Sequence, residues 1–563
     1  MAPWDRSADF LVVGSGAAGM TAALRAHDLG GDVLIVEKSS VYGGSTALSG
    51  GVVWVPNNPP MARAGIDDSA EEGLRYLEAV TAGSSNTEKL RTYIDTAPRM
   101  MAALAECSHV RFECVKDYPD YYAEEAGGKA GGRSCEPAVF DALQLGDEFE
   151  RMGLPDKSDF VLGGRLTVKV SEGKTLMAGG SRVVGFMLRG LFAYYTNFKA
   201  RRKRLGNTDL SLGGALAGRL RLSLMDRDVP LWLDTPLQDL IAEEGRVVGA
   251  VVEREGRALR IQARKGVLLA SGGFERNLEM RQRYQQAPTS DRWTAGCETN
   301  TGDAVAPALA RGAALDLMDE AWWCPSMLVP ARVDARIMIY EKNLAGGIIV
   351  DRNGRRFMNE AEPYNDVGKS MYRANTSEGS AIPAFLVFDR SFRKKYACGP
   401  MMPSVAKPDW ALPKILEGNF FEKSETLEGL ARKIGVDADG LVETVRRFNE
   451  FARTGRDLDF GRGDKLQDLY YTAKAEGPNP SLGPLTEPPF YAVKVYPGDL
   501  GTKGGLRTDV HARVLTEGNE VIPGLYAAGN CSAAVMGRTY PGAGGTIGPA
   551  MTFGYIAAEN ALS

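Results

Sequence analysis

The sequence predicts an α/β fold, and three observations carry that prediction. The first is a strand, glycine turn and helix at the N-terminus, Asp9-Phe-Leu-Val-Val-Gly-Ser-Gly-Ala-Ala-Gly19. The second is an apolar strand that follows it and ends in an acid, Asp32-Val-Leu-Ile-Val-Glu37. The third is length: 563 residues exceed what one compact core holds, so two domains, or one domain with a large insertion, are expected.

Each part of the N-terminal unit has a physical reason. Gly14 permits the tight turn, and Gly16 lets the backbone reach a pyrophosphate resting on the helix N-terminus. Ser15 and Ala18 line the same turn, and Gly19 lets helix and strand pack closely. The helix is expected over Met20 to Leu29, stopped by Gly30-Gly31. Glu37 lies 18 residues after Gly19, where a carboxylate can accept both ribose hydroxyls of an adenosine. Together these features describe a Rossmann-like dinucleotide-binding unit, without deciding between NAD and FAD.

The next loop runs Lys38-Ser-Ser-Val-Tyr-Gly43-Gly44-Ser45-Thr46-Ala-Leu-Ser49-Gly50-Gly51. Its small residues and hydroxyls can follow an extended ligand from ribose past the pyrophosphate towards a ribityl chain; an ordinary Gly/Ser loop is the other reading. At the far end of the chain, Gly524-Leu-Tyr-Ala-Ala-Gly529-Asn530 is a short strand ending in Gly-Asn. Tyr540-Pro-Gly-Ala-Gly544-Gly545-Thr-Ile547-Gly548-Pro549 then leads into a helical pattern, with Pro549 suited to the first turn. The N-terminus of that helix could face the flavin C2 carbonyl, where its dipole favours negative charge.

Composition excludes several function classes. Hydrophobic content of 44% and charged content of 25% are ordinary for a globular protein. A net charge of -4 gives no reason to expect nucleic acid. The seven Cys form no C-x-x-C pair, so neither a zinc site nor a redox disulfide is suggested. With only His27, His109 and His511, no metal site is expected. No signal peptide and no run of about 18 apolar residues is read, so a cytoplasmic location is expected.

The chain resembles the succinate dehydrogenase/fumarate reductase flavoprotein superfamily. The residues that carry this are Gly14-Ser-Gly-Ala-Ala-Gly19, Glu37-Lys38, Gly43-Gly44-Ser45-Thr46, Ala270-Ser-Gly272-Gly-Phe274, Gly347 to Glu360, and Ala527-Ala-Gly529-Asn530. The resemblance implies FAD as cofactor and a discontinuous FAD-binding domain at 1–300 and 496–563. An inserted α+β substrate domain would occupy 301–495. Fumarate reductases carry His-Thr-x-Gly-Gly where this chain has Gly501-Thr502-Lys503-Gly504-Gly505, so dicarboxylate chemistry is disfavoured. Thr46 and Ala47 stand where a linking His would be expected, so the FAD is expected to be non-covalent.

Within the superfamily the chain looks like the 3-ketosteroid 1-dehydrogenases. Tyr540 to Tyr555 carries this likeness, with Asp120-Tyr121-Tyr122 before Gly131-Gly-Arg133, and Tyr340 before Glu341-Lys-Asn-Leu-Ala-Gly-Gly. The resemblance implies that Tyr540 hydroxyl and Gly544 N–H grip the C3 ketone. Tyr340 would take the C2 proton with help from Tyr121, the C1 hydride going to flavin N5. The family often has Asp-Tyr-His, so Tyr118 and Tyr122 remain alternatives to Tyr121. Trp322, Trp323, Met318 and Met327 are either steroid walls or plain core. Implied partners are a 3-ketosteroid and an external electron acceptor such as a quinone. Rival readings are a 3-oxo-5α-steroid 4-dehydrogenase, a reductase of a small unsaturated acid, and a flavin electron-transfer subunit without its own substrate.

Further along, strands are expected at 229–234, 246–253 and 257–270, and Asn353-Gly354 reads as a hairpin turn. A helix is expected over Thr426 to Thr454 with Leu441, Val445 and Phe448 on one stripe. Pro478 to Pro489 reads as a hinge or linker. Val184 to Phe198 has a helical apolar stripe followed by Lys199-Ala-Arg-Arg-Lys-Arg204. It is either a docked surface helix with a basic end, or an interfacial helix giving peripheral membrane contact through 184–204.

Overall fold

A computed structural model describes residues 3–155, 166–173, 181–198, 207–330, 332, 335–376, 380–472 and 477–563. Its largest sheet is built from both ends of the chain. Strand Arg6–Val13 lies at the centre, parallel to Val33–Val36 on one side and to Arg257–Leu269 on the other. The C-terminal strand Val521–Ala527 adds parallel to Arg257–Leu269, pairing Leu268 with Tyr526. These strands are apolar on both faces because helices cover both sides of a parallel sheet. Strands Leu237–Glu243 and Arg246–Arg254 continue antiparallel from Arg257–Leu269.

Helix Ala17–Asp28 begins three residues before the expected start, because Gly16 is its N-cap and the glycine turn feeds straight into it. It packs on the C-terminal helix Ile547–Leu562. The two backbones approach so closely that a Cβ at Gly554 would lie 2.4 Å from the Ala18 carbonyl oxygen. That contact joins the first and last segments of the chain in one body.

A second sheet is antiparallel, in the order Arg336–Ile337, Ala321–Met327, Phe490–Thr502, Ala384–Phe388, Gly347–Val350, with Phe421–Ser424 also on Phe490–Thr502. Phe490–Thr502 is long enough to run across the 495/496 boundary expected from sequence. The Asn353-Gly354 turn is present, with Gly354 at φ 70 and Arg356 bridging back to Val350.

Two sequence expectations are corrected here. The single helix over Thr426 to Thr454 is two, Leu427–Ile434 and Ala438–Thr454, because Gly435 takes φ 70 and caps the first. Leu441, Val445 and Phe448 do share the buried stripe. The segment read as a hinge is packed, with Leu482 and Leu485 buried against Phe448 and Phe451.

Helix Ser181–Thr196 covers most of the predicted amphipathic stretch. Its large side chains Leu188, Phe192 and Tyr195 are 64%, 71% and 59% exposed, and Phe198 beyond it is 76% exposed. Residues 199–204, the basic run, lie outside the described residues. Among the described residues no helix is long and apolar enough to cross a membrane.

Candidate active site

The first half of the site is a cradle of backbone. Gly14 takes φ +109, and a Cβ there would meet the Ala270 carbonyl oxygen at 2.3 Å. A Cβ on Gly19 would meet the Gly14 carbonyl oxygen at 2.1 Å, so neither position admits a side chain. Gly16 differs: an added Cβ would approach only Thr46 Oγ1, at 3.6 Å. As the N-cap residue it has no side chain to cap the helix, leaving backbone N–H groups beyond Ala17 for an anion. Thr46 Oγ1 accepts from Ala17 N at 2.9 Å and so lines the same opening.

Glu37 is held at the end of its strand. Its Oε2 accepts from Ser15 N at 3.0 Å and Ser15 Oγ at 2.7 Å, and its Oε1 from Ser39 N at 3.0 Å. Lys38 turns away to Thr301 Oγ1 at 2.6 Å and pairs with Asp303. Ser45 Oγ accepts from Cys297 N at 3.1 Å and Asn300 Nδ2 at 3.0 Å. Ser49 Oγ donates to the Thr46 carbonyl at 2.7 Å. Gly44 is open, with nothing within 4 Å of an added Cβ, and Gly50 is exposed. Gly272 packs on the Asn300 amide, which a Cβ would meet at 2.5 Å.

The C-terminal segment closes the cradle. Gly529 lies against Ala18, and Asn530 Oδ1 accepts from Trp322 Nε1 at 3.1 Å. Gly529, Asn530, Trp322, Gly545, Thr546 and Pro549 line one cleft. Helix Ile547–Leu562 starts there, also without a side-chain cap. A Cβ on Gly548 would meet Tyr93 Oη at 2.6 Å. Two uncapped helix N-termini and a glycine-lined groove between them fit a dinucleotide pyrophosphate at one and a flavin ring edge at the other.

The second half of the site is aromatic. Tyr540 is 4% exposed and packs on Trp322 (4.9 Å between ring centres), Tyr121 (5.4 Å) and Tyr364 (5.4 Å). Burial raises its pKa above the ordinary phenol value, opposed by the Thr546 hydroxyl, Tyr364 and the Gly544 N–H, which face the phenol oxygen. Thr546 Oγ1 lies 3.3 Å from that oxygen. Gly544 has φ +100, and a Cβ there would meet Trp54 N at 2.5 Å.

The Asp-Tyr-Tyr and Gly-Gly-Arg segments meet behind this cluster. Arg133 Nη1 donates to Asp120 Oδ2 at 2.8 Å, and Trp54 Nε1 donates to Asp120 Oδ1 at 2.7 Å. Asp68 holds the other side of the same buried guanidinium, at 2.7 Å. Burial pushes the Asp120 carboxyl up to about 6 despite Arg133. Next door, Tyr121 N donates to the Pro541 carbonyl at 3.0 Å, tying this loop to the one that carries Tyr540.

The three neighbouring tyrosines now separate. Tyr118 bonds Tyr471 and stacks on Tyr470, while Tyr122 donates to Asp366 Oδ2 at 2.8 Å. The Tyr121 hydroxyl is buried, and its ring packs edge-on against that of Tyr364, 5.4 Å between ring centres.

Tyr340 does not pack on Tyr540 and meets the aromatic cluster only through Tyr471 and Tyr118. It is 38% exposed and its ring packs on Tyr471 at 5.0 Å. Tyr364, which sequence reasoning missed, sits between Tyr121 and Tyr540 at the first turn of helix Tyr364–Ala374. The available signal was Pro363, which marks the start of that helix. Of the proposed walls, only Trp322 reaches Tyr540. Trp323 and Met327 belong to the core of the second sheet, and Met318 backs on Gly504.

Comparison with known proteins bears on this geometry. A family model described as an FAD binding domain matches residues 9–547. The chain is 43% identical to a 3-oxosteroid 1-dehydrogenase of Mycolicibacterium smegmatis, over 98% of this chain and 96% of that one. It is 36% identical to a 4-oxocyclohex-2-ene-1-carboxylate 5-dehydrogenase of Sinomonas cyclohexanicum, over 98% and 93%. The crystal structure of a 3-ketosteroid Δ1-dehydrogenase from Sterolibacterium denitrificans, in complex with 1,4-androstadiene-3,17-dione, superposes with a TM-score of 0.96. That protein is 45% identical, with 99% of each chain covered. The cradle and the matches agree: the chain belongs to the FAD-binding flavoprotein oxidoreductases, in the family of the 3-oxosteroid 1-dehydrogenases.

Proposed function

We propose that this enzyme desaturates the C1–C2 bond of a 3-ketosteroid by trans-elimination, with FAD held non-covalently. The observation that carries the reading is the Gly544 N–H set beside the Tyr540 phenol oxygen, two donor groups side by side inside a buried aromatic cluster. A proton next to a ketone is only weakly acidic. Two donors on the ketone oxygen stabilise the enolate that forms when it leaves, and losing one such donor costs about 10²–10³ in rate. Because burial keeps Tyr540 protonated, it is available as a donor across the neutral range.

We assign the base to Tyr364 in place of Tyr340, because Tyr364 packs directly on Tyr540 and Tyr340 does not. A tyrosine is a poor base at neutral pH, with an ordinary pKa of about 10. Burial raises Tyr364 further, so C2 proton abstraction has to be coupled to onward transfer. Tyr121, whose ring packs edge-on against Tyr364, would relay that proton by passing its own on to Tyr118, which bonds Tyr471. FAD, when bound, supplies the acceptor for the C1 hydride. Residues Gly14 to Gly19, Glu37, Gly44 to Gly50, Gly272, Gly529-Asn530 and Gly545 to Gly548 are the proposed cradle for it, with 301–495 as the substrate domain. The Trp322 indole and the tyrosine rings form flat walls suited to a steroid.

An external electron acceptor such as a quinone completes the cycle. Helix Ser181–Thr196 is proposed as a peripheral membrane contact on the cytoplasmic face. Leu188, Phe192 and Tyr195 recur at i, i+4 and i+7, and their exposure supports burial in a lipid interface.

The test is anaerobic mixing with androst-4-ene-3,17-dione. The flavin should bleach, and Tyr540→Phe should bleach at least about tenfold more slowly with FAD still bound. Bleaching by 4-oxocyclohexanecarboxylate but not by the steroid would move the substrate class to small cyclic ketones. Bleaching by neither would remove the dehydrogenase reading. Product analysis with a 5α-3-ketosteroid separates 1,2- from 4,5-desaturation.

A further inference from the structure

Beside the segment that carries Tyr540 lies a buried lysine with no role in the chemistry proposed above. Lys503 is completely buried, with Nζ donating to the Thr539 carbonyl at 2.7 Å. Its ammonium stands 4.6 Å from the centre of the Trp322 ring, on the indole that packs edge-on against Tyr540. The backbone of Lys503 is anchored at both ends, its N–H to the Glu320 carbonyl and its C=O to Ala534 N, both at 3.0 Å. One side chain therefore touches the residue before Tyr540 and the ring beside it.

This is a costly placement. A buried ammonium is normally paired with a carboxylate or driven neutral. The Glu320 carboxylate is instead engaged by Lys369 at 3.2 Å and Arg538 at 3.0 Å. Burial holds the Lys503 pKa down to about 7; Glu320 and Asp366 oppose this, while Lys369 and Arg538 add to it. A carbonyl dipole and a π face are what the site offers the charge directly. Such a cation gains most when negative charge develops nearby in a water-excluded site.

We propose that Lys503 is a positioning residue for the desaturation: it holds the Thr539–Tyr540 backbone and the Trp322 ring, and sets a positive charge behind the phenol that grips the ketone. The inference rests on the function proposed above for Tyr540. It makes the charge, and not only the hydrogen bond to Thr539, a requirement of C2 deprotonation.

The experiment uses the FAD-loaded full chain and reads anaerobic single-turnover flavin bleaching by androst-4-ene-3,17-dione. Lys503→Met removes donor and charge, Lys503→Gln keeps a donor without charge, and Lys503→Arg keeps both. The expected result is slowing by about tenfold or more for Met and Gln, with steroid affinity and FAD content within about threefold of native. Arg should restore the rate to within about threefold. The isotope effect from C2-deuterated steroid should rise in Met and Gln, which a merely structural role would not produce. A native rate in Met or Gln overturns the proposal, as does slowing that tracks loss of FAD or steroid binding. If neither neutral variant folds, Arg decides: a native rate supports the proposal, and a tenfold loss with binding intact overturns it. Tyr540→Phe in the same assay separates the failures. If it bleaches at the native rate, the proposed function fails; if only the Lys503 variants do, this assignment alone fails.

Discussion

Gly544→Ala tests the oxyanion grip through one added methyl group. Gly544 takes φ +100, a region that costs an L-residue about 1–3 kcal/mol. The new Cβ would lie 2.5 Å from both Trp54 N and Val53 C, so backbone must move. A shift of about 1 Å can cost about 10²-fold in rate when it misplaces a reacting group. Nearby, Trp54 N–H of the indole holds Asp120, and a Cβ on Gly542 would meet the same indole at 2.5 Å. The displacement therefore reaches Tyr121 as well as the Gly544 N–H. The assay is steady-state steroid dehydrogenation with FAD content read by absorbance. The expected result is a loss in kcat of about 10²-fold or more, with FAD retained. Turnover within threefold of native, with an unchanged melting temperature, would refute the argument that this N–H is placed by a glycine-only backbone.

Three further outcomes follow from the same geometry. Tyr364→Phe should lower kcat by about 10²-fold or more, whereas Tyr340→Phe should stay within about threefold; the reverse order would return the base to Tyr340. Deleting 184–204 should release the enzyme from anionic vesicles in a sedimentation assay while leaving steroid turnover measurable, and unchanged sedimentation would leave the exposed stripe without a lipid role. Glu275 is fully buried, and burial together with Asp499 pushes its carboxyl up to about 7 from 4.5. Its raised pKa means stability is greatest below the unfolded value and is lost as pH rises through about 7, by about 3 kcal/mol at most. Glu275→Gln should therefore flatten the melting-temperature profile between about pH 4.5 and 7, and a profile that still falls there would place the titration elsewhere.

The strongest sequence signals were those enforced by backbone sterics. Gly14 and Gly19 are glycine because a Cβ at either would strike a carbonyl oxygen, so the turn is visible in any single sequence. Tyr540 and Gly544 were legible through the family resemblance, and the structure supplies the steric reason for the glycine. Signals that depend on which side chains converge were weaker. Tyr121, Tyr364 and Tyr340 are alike as residues, and only the packing separates a phenol inside the cluster from one that is 38% exposed. Helix continuity failed at Gly435 because amphipathic spacing persisted on both sides of a left-handed residue.

The sequence by itself determined the dinucleotide-binding unit, because that is local: neighbouring residues and forbidden backbone angles encode it, while the flavin class and the tyrosine-glycine motif came from the resemblance of segments at both ends of the chain. The tertiary structure decided which tyrosine stands beside Tyr540, why Asp120 and Arg133 matter to it, and that Lys503 lies behind it. Those residues come from positions 120 to 540, and no local pattern records a meeting that depends on how both sheets and their helices pack.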